Sequence, residues 1–135
     1  MINSYSTEQE KYEYIASFIS IHYPKNNFTE EETLKKAKTV LKELEKLFPS
    51  KIIGYYFGRD ILVTDDTEIS YNPYTNNIWF LKNKKPHRIN GPARISIGPQ
   101  KTYNFFYIDS RCYSEEKYWN HPLVIKNKLN SIINL

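Results

Sequence analysis

The chain has 135 residues, a net charge of +4, 40% apolar and 16% aromatic side chains. That apolar content excludes a disordered polypeptide, which cannot bury enough surface to offset chain entropy, and the length suits one domain of roughly 100–200 residues. No apolar run reaches the ~18 residues of a membrane span, and Met1 to Ser6 show no basic stretch leading into an apolar one, so a cytoplasmic protein is expected.

The first half of the chain reads as helical. Residues 7–23 open on a capping box, Thr7 with Glu10, and Tyr12, Ile15, Phe18 and Ile19 follow at helical spacing before Pro24. A second helix starts at Thr29, again with Glu three positions on at Glu32. Leu34, Ala37, Leu41, Leu44 and Phe48 then form an apolar stripe, stopped by Pro49. The stripe predicts packing on the domain core. About two heptads fall short of a coiled coil, although pairing through helix 29–48 is one route to a homodimer.

From Lys51 the period changes. Six short strands are expected at 52–57, 61–63, 68–71, 78–81, 93–97 and 103–108. Asp65-Asp66, Asn72-Pro73, Asn83-Lys84, Asn90-Gly91 and Gly98-Pro99 mark turns between them. Close spacing and tight turns predict an antiparallel meander, whose edge strands offer a second route to a homodimer. The end returns to helix. Ser114-Glu115-Glu116 opens a short turn, Pro122 suits a first helical position, and Ile125, Leu129 and Ile132 continue a face. The expected fold is α+β: an N-terminal helical hairpin (1–50) packed on an antiparallel sheet (51–112), closed by a C-terminal helical segment (113–135), in a single domain.

Two segments align at an offset of 26 residues, Phe80 to Arg88 over Phe106 to Ser114; each has an aromatic-led strand, an Asx turn and a basic residue. The stretch Trp79-Phe80-Leu81-Lys82-Asn83-Lys84-Lys85-Pro86-His87-Arg88-Ile89-Asn90-Gly91-Pro92-Ala93 resembles the MORN-like hairpin repeat with its His-Arg-x-x-Gly-Pro-Ala signature, found in phage and giant-virus proteins. Phe106 to Trp119 is similar to the closing unit of such arrays, although Lys84 and Ser110 stand where Gly is usual. The resemblance covers about residues 78–124. It implies β-hairpins in a meander and a viral origin, with no single activity attached. On physical grounds Gly91 suits a positive φ and Pro92 fixes the next one. Arg88 suits a fork onto backbone carbonyls or a carboxylate, and His87 suits stacking on Trp79, Phe80 and Phe106.

Charge is unevenly spread. Residues 1–50 carry seven Lys and eight Glu, whereas residues 51–135 carry twelve basic and seven acidic residues. Lys82 to Lys101 hold six basic residues and no acidic one. Such a segment suits phosphate or an acidic protein surface, or serves solubility and protects a sheet edge. Twelve Tyr, seven Phe and two Trp supply interface anchors or base-stacking platforms. The candidate binding residues are therefore Lys82, Lys84, Lys85, His87, Arg88, Arg94, Lys101, Tyr103, Tyr107 and Arg111.

Catalytic patterns are sparse. His22, His87 and His121 form no zinc-hydrolase spacing, the single Cys112 excludes an intramolecular disulfide, and no phosphate-cradling Gly loop is present. Asp65-Asp66-Thr67-Glu68 reads as a hairpin turn. No catalytic residue, metal or cofactor is assigned. The leading expectation is a non-catalytic interaction protein, a phage or viral accessory factor that occludes a host protein, with host defence as one target. Nucleic-acid binding through the basic segment is the second reading. A small enzyme or nucleotide-handling protein built on His87, Arg88 and Asp109 is the third; Cys112, weighed beside His87 and Asp109 as a nucleophile, reads instead as a small apolar side chain.

Overall fold

A computed structural model describes residues 2–3, 7–47, 54–55 and 68–133. In chain order these form β1 (Ile2–Asn3), α1 (Glu8–His22), α2 (Glu30–Leu47), β2 (Gly54–Tyr55), β3 (Glu68–Asn72), β4 (Asn77–Lys82), β5 (Lys85–Pro86), β6 (Arg94–Ile97), β7 (Thr102–Ile108), β8 (Arg111–Tyr113), α3 (Glu115–Trp119) and α4 (Pro122–Ile133). The α+β layout expected from the sequence is present.

Both N-terminal helices start where their caps dictate. The Thr7 hydroxyl accepts from the Glu10 amide at 3.1 Å and the Glu10 carboxylate accepts from the Thr7 amide at 3.0 Å. Thr29 and Glu32 repeat the exchange at 3.0 and 3.1 Å. Each box satisfies two amides that the first helical turn leaves without intrahelical partners. The amide bonds from Thr7 and Thr29, followed by their hydroxyls, hold the Glu10 and Glu32 carboxyls below the usual carboxylate range. Proline at the start of α4 costs no intrahelical hydrogen bond, so Asn120 and His121 separate α3 from α4 without a longer loop.

Six antiparallel strands form the main sheet, in the order β3-β4-β6-β7-β8, with β5 also paired to β4. Ile69 and Tyr71 of β3, Ile78 and Phe80 of β4 and Ile95 of β6 share one face with Ile15 and Ile19 of α1 and Ala37, Val40, Leu41 and Leu44 of α2. Those eleven side chains are at most 1% exposed and form the principal core. At roughly 1.5–3 kcal/mol for each large apolar side chain, this burial is the main force holding helices to sheet. A second core joins Phe106 and Ile108 of β7 to Tyr118 of α3 and Val124 of α4, with Tyr113 against it. Phe106 and Ile108 have the same strand parity as the residues facing α1 and α2, so the C-terminal helices pack on that face too.

Two expectations change. The strands expected at 52–57 and 61–63 lie outside the described residues, apart from Gly54–Tyr55, which pairs with β1 in a separate two-stranded ribbon. The six-strand count is met instead by β5 and β8, the return arms of two hairpins, which at two and three residues are too short for period-2 alternation to show. The apolar stripe of α2 is turned into the protein's own core, with Ala37, Leu41 and Leu44 at 0–1% exposure. Those three side chains are therefore not free to form a homodimer through helix 29–48, whereas Leu34 at the start of α2 is only half-buried. Among the described residues the sheet edges are β3 and β8.

Candidate functional site

The repeat read in the sequence folds as two matching hairpins. Lys82 pairs with Lys85 around Asn83-Lys84, and Ile108 pairs with Arg111 around Asp109-Ser110. All four loop residues have positive φ: 52°, 65°, 48° and 71°. This is the type I′ pattern, whose twist matches that of the flanking strands. Asn and Asp tolerate the first position, but Lys84 and Ser110 occupy positions that favour Gly. The hairpins lie side by side, joined by the Ser110 amide donating to the Pro86 carbonyl at 2.8 Å and the Arg88 amide donating to the Tyr107 carbonyl at 3.1 Å.

Between β5 and β6 the chain leaves the edge of β4 and returns to it. The detour, residues 87–93, is held by buried polar side chains. The Arg88 Nε donates to Asn90 Oδ1 at 2.8 Å and its Nη1 to the Pro92 carbonyl at 3.1 Å, with the guanidinium 4.2 Å from the centre of the Phe80 ring. Gly91 has φ 154°, and a Cβ there would meet Arg88 Nη1 at 3.0 Å, so the guanidinium packs against the bare glycine backbone. The Tyr118 hydroxyl accepts from the Gly91 amide at 3.1 Å and faces the carbonyls of Arg88 and Gly91 at 2.7 and 2.8 Å. Burial pushes the Tyr118 phenol up, partly offset by its hydrogen bond to Gly91 and by the Arg88 charge. His87 Nδ1 accepts from the Asp109 amide at 3.0 Å. Asp109 Oδ1 lies 3.3 Å from the same nitrogen. Arg88 thus forks onto a carbonyl of its own loop. Among the described residues the His87 ring stacks on none of Trp79, Phe80 or Phe106.

The sheet face opposite the helices is set by register. Ser70, Trp79, Arg94 and Phe105 lie in one row across β3, β4, β6 and β7. The Arg94 guanidinium carbon sits 5.1 Å from the Trp79 ring centre and 4.7 Å from that of Phe105, and its Nε donates to Asn77 Oδ1 at 2.7 Å. Tyr107 approaches Trp79 at 5.9 Å between ring centres. Tyr103, 52% exposed, continues the same face of β7, with Lys101 Nζ 5.2 Å from its ring centre. Partial exposure of Trp79, Arg94, Phe105 and Tyr107 makes this a stripe of rings and cations within reach of a partner.

The ten candidate residues fall into three groups. His87 and Arg88, at 6% and 3% exposure, are internal and hold the loop. Arg94, Lys101, Tyr103 and Tyr107 belong to the open face. Lys82, Lys84, Lys85 and Arg111 surround the paired hairpin turns at the opposite end of the strands from Lys101. Trp79 and Phe105 complete the open face, and opposite parity to the buried Ile78, Phe80 and Phe106 is the sequence signal for them. Of the third reading's residues, Asp109 touches His87, whereas Cys112 is exposed on β8 opposite Tyr107. Among the described residues no group of three His, Cys, Asp or Glu could hold a metal ion, and no helix is long and apolar enough to cross a membrane.

No family model, curated protein or solved structure matches the chain.

Proposed function

We propose that the protein is a non-catalytic interaction protein that docks a protein partner on the open sheet face. The observation that carries this reading is the Arg94 guanidinium sandwiched between Trp79 and Phe105. Trp, Tyr and Arg are the side chains that anchor protein interfaces; Trp and Tyr bury much area with few rotamers to freeze. A cation already seated over a ring occupies a face that a nucleobase would need, which favours a protein over stacked bases. Arg94 enters the contact pre-oriented, so little side-chain entropy remains to be lost. The narrower reading, a phage or viral factor that occludes a host protein, rests on the resemblance of residues 79–93 to MORN-like hairpins.

The test is affinity capture from nuclease-treated host lysate, followed by binding measurements with the purified partner. Trp79→Ala or Phe105→Ala should weaken binding by about 2 kcal/mol or more, roughly thirtyfold. Lys84→Glu with Lys85→Glu should change it little. A partner held equally well by Trp79→Ala would remove the open face from the interface.

The paired turns favour a second reading, nucleic-acid binding. They gather Lys82, Lys84, Lys85 and Arg111 at one end of the sheet. Anisotropy with short single- and double-stranded oligonucleotides separates the two readings. Sub-micromolar binding at about 50 mM salt that collapses near 200 mM, and is lost on charge reversal at Lys84 and Lys85, would transfer the function to that end.

A further inference from the structure

Helix α4 has two unlike faces. Val124 is buried in the second core, whereas Ile125, Leu129, Ile132 and Ile133 are 41%, 52%, 58% and 76% exposed. At 100° per residue these four side chains fall in a stripe about 100° wide. Lys126 and Lys128 flank it on opposite sides, and α4 has no acidic residue. A contiguous exposed apolar stripe with a charged rim marks a contact surface.

The same chain carries a groove of matching character. It has a volume of about 920 Å³ and runs along the solvent side of α1 and the start of α2. Ala16, Ile21, Phe28 and Leu34 give it an apolar lining; Glu13 stands on the α1 side, Glu30 and Glu31 on the α2 side, and among the described residues no Lys or Arg lines it. The groove follows α1 from Gln9 to Ile21, about 20 Å at 1.5 Å per residue, enough to seat the ~18 Å of the 12-residue α4. Stripe and groove are both open in one chain, so the chain's own α4 does not fill its groove.

We propose that α4 docks in the α1–α2 groove of a second copy, the two contacts being reciprocal about a two-fold axis. Charge, length and apolar pattern all select this occupant. With the stripe facing the groove floor, one lysine of α4 approaches the Glu13 rim and the other the Glu30–Glu31 rim. One ~18 Å helix half sunk in a groove buries roughly 600–700 Å² in all, short of the ~1,200 Å² of a stable interface; two such contacts reach it. A two-fold axis supplies both at once.

Sedimentation equilibrium of the full chain up to about 100 µM, which saturates a micromolar dimer, should give twice the chain mass. Leu129→Asp should return it to the monomer while leaving the Val124 side untouched. Glu30→Lys with Glu31→Lys, and separately Lys126→Glu with Lys128→Glu, bring like charges together and should each weaken the dimer at least about tenfold. Mixed in equal amounts, the two charge variants should recover a 1:1 heterodimer, because both contacts then join opposite charges. All of these positions are exposed, and unchanged circular dichroism verifies the fold of each variant. A monomer at every concentration, a dimer indifferent to both reversals, or a mixture that stays monomeric overturns the proposal.

Discussion

The Tyr118 hydroxyl is the keystone of the loop between β5 and β6, and Tyr118→Phe isolates it. Phenylalanine keeps the ring that packs against Phe106 at 4.6 Å and Trp119 at 5.1 Å between ring centres. What disappears is one acceptor for the Gly91 amide and the one proton shared between the Arg88 and Gly91 carbonyls. Arg88 and Gly91 are both buried, so water does not readily replace the hydroxyl. A buried group left without its partner costs about 1–3 kcal/mol. With one donor and one acceptor orphaned, the variant should lose about 2–4 kcal/mol. For a domain of this size each kcal/mol shifts Tm by roughly 3–5 °C, which gives a fall of about 6–20 °C. Urea unfolding followed by circular dichroism is the matching assay, with the midpoint lowered and the slope unchanged. A loss below about 0.5 kcal/mol would mean that Arg88 and packing hold the loop without help from the Tyr118 hydroxyl.

Two further outcomes are expected. Lys84→Gly and Ser110→Gly each place Gly at a position with φ of 65° or 71° and should stabilise the protein by about 0.5–1 kcal/mol; a loss of stability in thermal unfolding would contradict the type I′ assignment. The Tyr71 phenol is pushed up by burial, with Tyr23 adding to the shift, and burial likewise raises Tyr118. A folded-state pKa above the unfolded value of about 10 gives stability that is complete below that pH and lost as pH rises through the folded value. In an alkaline titration read by tyrosinate absorbance, these two phenols should therefore ionise last and together with loss of the circular dichroism signal. Ionisation of all twelve tyrosines near pH 10 in a still-folded protein would refute this.

How much of this was legible in the sequence depended on the range of the interactions involved. The helix starts were readable because a capping box is confined to four residues, and Thr7–Glu10 and Thr29–Glu32 both form one. The hairpin turns were readable because Asn83 and Asp109 are residue types that accept a positive φ. The short return arms β5 and β8 were not, since pairing across a turn decides them. The candidate site was harder. Lys82, Arg88 and Arg94 lie close in sequence, yet one ends at a hairpin, one in the interior and one on the open face. Composition counted all three as basic, whereas position in the sheet and the loop separated them. The role of Tyr118 could not be read, because it depends on α3 folding back over a loop 27 residues earlier.

The buried signature and the open face are parts of one device. Strand β4 is paired first with β5 and then with β6 along the same edge, so the intervening residues 87–93 determine the phase in which β6 re-enters. Arg88, Gly91 and Tyr118 fix the path of that segment, and the Ala93 carbonyl then accepts from the Phe80 amide at 2.7 Å as the register is resumed. In this phase Ile95 faces the core and Arg94 faces outward between Trp79 and Phe105. A slip of one residue would reverse both, sending a guanidinium into the principal core and an isoleucine to the surface. The energetic penalty of that slip falls on the core, but the same slip dismantles the outward row of Trp79, Arg94 and Phe105. Under the proposed docking role, conservative changes at Arg88 or Tyr118 should therefore weaken partner binding in the same assay as Trp79→Ala, without altering any side chain of the open face.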